Sequence, residues 1–159
     1  MVATFTTALV RLGHLVQQVF GDVGREQDLT PQQAQLLCLL VGGPVGMTEL
    51  TRTLHLEKSS LTGLVDRAEK RGLVARTRDS RDRRVWLVEL TPEGERVGAL
   101  AHDGVEARLE ALAGELPVEH RELLASAIDG ILAEYASTTG RPRPQPTRPQ
   151  PARTSATPA

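Results

Sequence analysis

The sequence predicts a mainly α-helical fold with one small β-hairpin, and three observations lead to that prediction. Apolar residues recur at three- and four-residue spacing along most of residues 5–135, as on the buried faces of helices. Two stretches rich in aliphatic and β-branched residues, 73–78 and 85–90, flank an arginine-rich loop, as in a hairpin. Aromatic residues make up 3% of the chain, which suits a core of Leu, Val and Ala packed between helices.

The first predicted helix covers residues 5–20 and carries one broad apolar stripe. The helix is predicted to end at Gly21, Gly24 and the charged residues between them. Such a wide apolar face needs more cover than one neighbouring helix provides. We expect either the core alone or the core together with a second subunit to cover it.

The second helix is predicted to run from the cap residue Thr30 to about Val41. Pro31 stands in its first turn, and Gln33 is placed to complete a capping box with Thr30. The helix is apolar nearly all round, so we expect it to be buried. Cys38, the chain's one cysteine, stands among leucines, which favours core packing over redox sensing.

Two further helices, at Met47–Leu54 and Lys58–Arg71, are predicted to form a helix-turn-helix. Each carries an apolar face at helical spacing. The opposite face of the second helix holds small, hydroxylated and charged side chains, which suit close approach to another surface. Gly72 ends this helix. Glu57 precedes it, where Ser or Asp would cap the helix better.

A hairpin follows, with strands predicted at 73–78 and 85–90 and the polar segment Asp79–Arg84 between them. Helices and hairpin together predict a winged helix-turn-helix over residues 30–91. In such a fold the second helix enters a DNA major groove, and the hairpin reaches the flanking backbone or minor groove.

The predicted DNA-binding residues divide between the helix at Lys58–Arg71, called the recognition helix, and the hairpin, called the wing. In the recognition helix they are Ser59, Ser60, Thr62, Gly63, Asp66, Arg67 and Lys70. In the wing they are Arg76, Arg78, Arg81, Asp82, Arg83 and Arg84. Asp82 is placed to orient the side chain of either Arg84 or Arg76. Trp86 falls on the strand face of Val88, so we expect it to pack rather than to stack on bases.

Two helices predicted at 92–113 and 117–136 follow the wing. Together with the helix at 4–21 they carry larger apolar faces than so small a DNA-binding lobe needs, so we expect these three helices to hold a homodimer together. The helices and the DNA-binding lobe are predicted to form a single domain, 1–136. The alternative is a monomer whose faces fold onto themselves. Residues 137–159 hold six of the ten prolines, four arginines and no acidic residue, which predicts a disordered tail. Either the tail tethers DNA by its charge, or it is only a solvated extension.

Charge is unevenly distributed, although the formal net charge is −1. Residues 47–90 hold ten Lys/Arg against seven Asp/Glu, whereas residues 91–135 hold three against ten. The basic stretch coincides with the predicted DNA-binding lobe. The histidines are scattered, and no phosphate-binding loop or serine elbow occurs, so we expect no enzyme, cofactor or metal site. Without an apolar run near the ~20 residues of a membrane span or a recognisable signal peptide, the expected location is the cytoplasm.

Several runs of the recognition helix, the wing and the next helix follow one another at specific spacings. These runs are Leu64-Val65-Asp66-Arg67-Ala68-Glu69-Lys70-Arg71-Gly72-Leu73-Val74, then Arg76, then Asp82-Arg83-Arg84, then Leu90-Thr91-Pro92-Glu93-Gly94. In this order they resemble MarR-type transcriptional regulators. More loosely, the resemblance extends from Phe5 to Tyr135.

The resemblance implies a homodimer that binds a pseudo-palindromic operator in double-stranded DNA, usually as a repressor that a small molecule releases. It places the ligand pocket between the dimerisation helices and the DNA-binding lobe, where the candidates are Leu15, Val19, Leu36 and Leu40. It also favours Arg84 as the residue in the minor groove. The alternative is a winged-helix module that binds protein without specific DNA binding, although such a module has no need for an arginine-rich hairpin.

Overall fold

The computed structural model describes residues 4–139, which form six helices around a small antiparallel sheet. In chain order the elements are α1 (Phe5–Glu26), α2 (Pro31–Leu40), β1 (Val45–Gly46), α3 (Met47–Thr53), α4 (Lys58–Lys70), β2 (Val74–Arg78), β3 (Trp86–Leu90), α5 (Pro92–Ala113) and α6 (Val118–Thr139). The predicted fold class is confirmed. Residues 137–139 continue α6 instead of starting the tail, and the rest of the predicted tail, 140–159, lies outside the described residues.

Helix α1 is longer than predicted, because Gly21 and Gly24 lie within it instead of ending it. Both glycines are buried. A Cβ on Gly24 would lie 2.8 Å from the carbonyl oxygen of Leu29, so only glycine lets the segment leading to α2 lie directly against α1. The chain leaves the helix near Asp28, whose φ is 55°.

The start of α2 follows its predicted pattern. The Thr30 hydroxyl accepts the N–H of Gln33 at 3.2 Å, and Gln33 Oε1 accepts the N–H of Thr30 at 3.1 Å. This reciprocal capping box satisfies two of the donors that a helix N-terminus leaves free. It fixes the point at which α2 enters the core.

The core is built mainly from α2 and α4, with buried residues of α1, α3, β2, β3 and α5 packed around them. Its largest fully buried side chains are Leu36, Leu37, Leu40, Leu50, Leu61, Leu64, Val23, Val65, Val74 and Val88. Cys38 packs against this cluster. Burial raises the pKa of the Cys38 thiol to about 12, and the negative charge of Glu106 adds to the shift, so the thiol stays protonated at neutral pH.

The sheet contains one strand that the sequence did not predict. Strand β1 is two residues long, too short to show an alternating pattern, and it pairs with β3 in the antiparallel order β1-β3-β2. In the hairpin, β2 and β3 pair from Val74 opposite Leu90 to Arg78 opposite Trp86. Arg78 and Trp86 therefore form the last residue pair before the wing loop.

Helix α6 has no buried residue as far as Thr138. Large apolar side chains are exposed on it and on two other helices: Phe5, Val10, Leu12 and Leu15 on α1, Leu100 and Leu112 on α5, and Leu123, Leu124, Ile131, Leu132 and Tyr135 on α6. Extended apolar surface of this kind is typical of protein–protein interfaces. Within residues 4–139, none of the helices is both long and apolar enough to cross a membrane.

Candidate nucleic-acid interface

Helix α4 divides into a buried face and an exposed face. The buried face consists of Leu61, Leu64, Val65 and Ala68. The side chains of Ser59, Ser60, Thr62, Arg67 and Lys70 are exposed, and Gly63 and Asp66 are half-buried. Glu57 occupies the N-cap without a side-chain hydrogen bond, so the N–H groups of the first turn are free to meet an anion such as phosphate.

Two small residues shape the exposed face of α4. A Cβ on Gly63 would lie 3.2 Å from Arg67 Nη1, which shows that the guanidinium folds back along the helix over Gly63. The Thr62 hydroxyl donates to the carbonyl of Lys58 at 2.8 Å. This bond fixes the Thr62 side chain and leaves its oxygen able to accept a hydrogen bond.

Arg76 joins the wing to the recognition helix. Its Nη2 lies 2.5 Å from Asp66 Oδ1, and its Nη1 lies 2.5 Å from Glu69 Oε2. The Arg76 side chain is only 22% exposed. Arg76 and Asp66, both predicted to contact DNA, therefore bind each other, and they set the position of β2 relative to α4.

The C-terminal end of α4 is held by Arg71. Its Nη1 donates to the carbonyl of Asp28 at 2.6 Å and to Gln33 Oε1 at 3.1 Å. Gln33 is the same residue that closes the capping box of α2. The recognition helix is therefore tied to the junction between α1 and α2.

The wing loop is held by its own aspartates. Asp79 Oδ1 accepts the N–H of Arg81 at 2.8 Å, and Asp82 Oδ1 accepts the N–H of Arg84 at 3.0 Å. Asp82 was predicted to orient the side chain of Arg84 or Arg76. It instead accepts a hydrogen bond from the backbone N–H of Arg84. The Arg76 side chain is bound by Asp66 and Glu69 of α4.

Arg78 lies over the ring of Trp86. Its guanidinium carbon is 3.7 Å from the ring centroid, and its Nη1 donates to the carbonyl of Arg83 at 2.9 Å. Trp86 was expected to pack on the face of Val88, but its side chain is 43% exposed, and its ring lies against Arg78. The position explains the difference, since residue 86 is the end of the strand next to the solvent-exposed loop.

The remaining wing arginines, Arg81, Arg83 and Arg84, are exposed. Among the salt bridges of residues 4–139, none involves these three side chains or Arg67 and Lys70 of α4. Their charges are available to an anionic partner. The described part of the chain also holds no group of three or more His, Cys, Asp or Glu side chains placed to bind a metal ion.

The four residues predicted to line a ligand pocket differ in burial. Val19, Leu36 and Leu40 are buried in the core, and Leu15 is exposed on α1. An open cleft of about 730 Å³ lies against α5 and the start of α6. It is lined by Asp103, Glu106, Ala107, Leu109, Glu110, Ala113 and Arg121. No sequence pattern indicated this cleft, because its residues resemble an ordinary solvated helix face.

Comparisons with known proteins give one consistent result. A sequence model described as MarR family matches residues 27–85. The HTH-type transcriptional regulator FarR of Neisseria gonorrhoeae is 30% identical over 135 residues, which cover 84% of this chain and 90% of FarR.

Two solved structures show the same fold. The transcriptional repressor CouR bound to a 23-mer DNA duplex is 32% identical, with a TM-score of 0.67 over 80% of this chain and 91% of CouR; CouR comes from Rhodococcus jostii RHA1. NadR in complex with 4-hydroxyphenylacetate is 29% identical, with a TM-score of 0.70 over 85% of this chain and 94% of NadR. The fold, the exposed recognition helix and these relatives together show that the chain belongs to the MarR family of transcriptional regulators.

Proposed function

We propose that this regulator is a homodimeric repressor that binds a pseudo-palindromic DNA operator and is released by a small molecule. One observation carries the proposal. An exposed polar helix face and an arginine-rich wing are joined by Arg76 into one unit, while their outer cations have no acidic partner among the described residues. A protein-binding winged helix has no use for such a surface.

The DNA contacts fall on residues whose side chains are exposed and form no salt bridge among residues 4–139. Arg67 and Lys70 offer charge, and the hydroxyls of α4 offer donors and acceptors to bases or phosphates in the major groove. These hydroxyls belong to Ser59, Ser60 and Thr62. Arg81, Arg83 and Arg84 serve the flanking backbone and minor groove. Four other predicted residues position these side chains through the contacts described above: Asp66, Arg76, Arg78 and Asp82.

Dimerisation is the natural use of the exposed apolar faces of α1, α5 and α6. A two-fold dimer presents two recognition helices, and half-sites then lie about one helical turn of DNA apart, roughly 34 Å. A repressor of this kind acts where the chromosome is, so we assign it to the cytoplasm. Sedimentation of the purified protein tests the proposed dimer, and a stable soluble monomer would contradict it.

A small-molecule effector is proposed by analogy with NadR, which is described in complex with 4-hydroxyphenylacetate. Thermal melting against a panel of aromatic carboxylates is the direct test. A ligand that raises the melting temperature should also weaken operator binding, because it must bind the DNA-free form better.

The decisive experiment measures DNA affinity as a function of salt. A duplex of about 30 base pairs, selected from random sequence by the wild-type protein, is compared with a scrambled duplex of the same composition. We expect tighter binding to the selected duplex and a steep loss of affinity with salt, as phosphate contacts require. Absence of binding at low salt would overturn the proposal and favour the protein-binding alternative.

A further inference from the structure

The peptide that joins Arg83 to Arg84 is hydrogen-bonded at both of its polar groups. Its carbonyl accepts Arg78 Nη1 at 2.9 Å, and its N–H donates to Asp82 Oδ1 at 3.0 Å. The next peptide is held as well, since the N–H of Val85 donates to the carbonyl of Asp82 at 2.9 Å. The backbone on both sides of Arg84 is therefore fixed, although its side chain is exposed.

The side chain that holds this peptide is itself held by an aromatic ring. Arg78 and Trp86 face each other on the last rung of the hairpin, and the guanidinium lies 3.7 Å from the ring centroid. Such a stack is a cation–π contact, and it restricts the long arginine side chain to one orientation. Trp86 carries no charge, so it cannot contribute to binding by neutralising a phosphate.

We infer that Arg78 and Trp86 form a bracket that positions Arg84 for insertion into the operator minor groove. Arg78 is then a positioning residue and not a DNA contact. The inference rests on the proposed DNA-binding function. Its physical basis is preorganisation: backbone dihedrals already fixed in the free protein lose no conformational entropy when DNA binds. The bracket requires an arginine at position 78 and an aromatic residue at position 86.

A double-mutant cycle separates positioning from phosphate contact. Arg78→Ala, Trp86→Leu and the double variant are titrated with the selected duplex at several salt concentrations. We expect each single variant to lower the affinity about 5- to 10-fold, as loss of the stack and one charged hydrogen bond implies. The double variant should lose no more than either single one, because both changes remove the same bracket.

The salt dependence of binding distinguishes a lost phosphate contact from a lost bracket. A lost phosphate contact lowers the slope of log affinity against log salt by about 1, whereas loss of the bracket should leave it nearly unchanged. Arg81→Ala is the matched control, because it removes an exposed arginine from the same loop. We expect Arg81→Ala to lower the slope and to combine additively with Trp86→Leu.

Conservative variants guard against a folding defect. Trp86→Phe keeps an aromatic face and should restore most of the affinity, whereas Arg78→Lys keeps the charge but loses the planar group and should not. Trp86 is the chain's one tryptophan, so its fluorescence reports directly whether Arg78 lies over it. If Trp86→Leu is unfolded, Trp86→Thr, whose β-branched side chain suits an exposed strand position, takes its place in the cycle.

Two outcomes overturn the inference. One is a Trp86 variant that binds like wild type while Arg78→Ala lowers the salt slope by about 1, which would make Arg78 a phosphate contact. The other is additive losses in the cycle. Failure of the proposed function itself is distinguishable, because the wild-type protein would then show no preference for any selected duplex.

Discussion

Replacing Arg76 with alanine tests whether this residue fastens the wing to the recognition helix or binds DNA. The Arg76 side chain is 22% exposed and bridges Asp66 and Glu69 at 2.5 Å each. A well-buried charged hydrogen bond is worth about 1.5–3 kcal/mol, and an exposed ion pair about 0.2–1 kcal/mol. Both carboxylates are partly exposed, so their contribution lies between these limits.

We therefore expect Arg76→Ala to lower the free energy of unfolding by about 1–2 kcal/mol, which corresponds to a fall in melting temperature of roughly 2–8 °C. Operator affinity should fall as well, because two carboxylates on or beside the DNA-facing helix lose their counter-charge. Urea and thermal denaturation followed by circular dichroism measure the first effect, and titration with the selected duplex measures the second.

Asp66→Asn completes the test as the partner variant. If the two side chains act through each other, the destabilisations of Arg76→Ala and Asp66→Asn should not add in the double variant. Arg81→Ala is the control, since it removes an exposed arginine with no salt bridge among residues 4–139. A melting temperature of Arg76→Ala equal to that of wild type, with a salt slope smaller by about 1, would refute the reasoning and make Arg76 a DNA contact.

Three further predictions concern the wing, the core and the hairpin–helix junction. Arg84→Ala should weaken operator binding and relax any A·T preference at the flanks, with Arg84→Lys restoring it only partly; equal binding by the lysine variant across flank sequences would leave simple phosphate neutralisation. The pKa of Cys38 is raised to about 12, above the value of about 8.5 expected when unfolded, so its contribution to stability is present below about pH 8 and is lost as pH rises toward 12. Urea midpoints at about pH 8 and pH 10 should therefore diverge less in Cys38→Val than in wild type. A Cβ on Gly94 would lie 1.7 Å from the carbonyl oxygen of Leu73, so Gly94→Ala should destabilise by at least about 2 kcal/mol, whereas Gly13→Ala, with nothing within 4 Å, should change stability by no more than about 1 kcal/mol in denaturation experiments.

The fold was predictable because its helices obey local rules. The capping box at Thr30 and Gln33 and the apolar spacing of α4 need only neighbouring residues, and both appear in the structure. Gly24 misled the prediction, since a glycine that ends a helix and one that allows another segment to approach look alike in sequence. Strand β1 pairs Val45 with the distant Val88, and two residues carry no periodicity of their own.

The chemical class of the interface was predictable, but the role of each charged residue was not. The sequence shows an arginine-rich hairpin, yet residue type alone does not distinguish Arg76 from Arg84. Only the position of α4 beside β2 gives Arg76 its carboxylate partners, and only the loop geometry leaves Arg84 exposed. The ligand-binding role of Leu36 and Leu40 stays a prediction, because these residue types do not distinguish a core from a pocket wall.

The hydrogen bonds of Arg71 have a consequence for how far apart two recognition helices stand in a dimer. They connect the last turn of α4 to the Asp28 carbonyl, immediately beyond the end of α1. A tilt of α1 at a dimer interface must either carry the DNA-reading helix with it or break this connection. The half-site separation that a dimer can match then depends on the angle between its two α1 helices. A small rotation of these helices displaces the recognition helices further, because they lie at a distance from the interface, and so changes which operators fit.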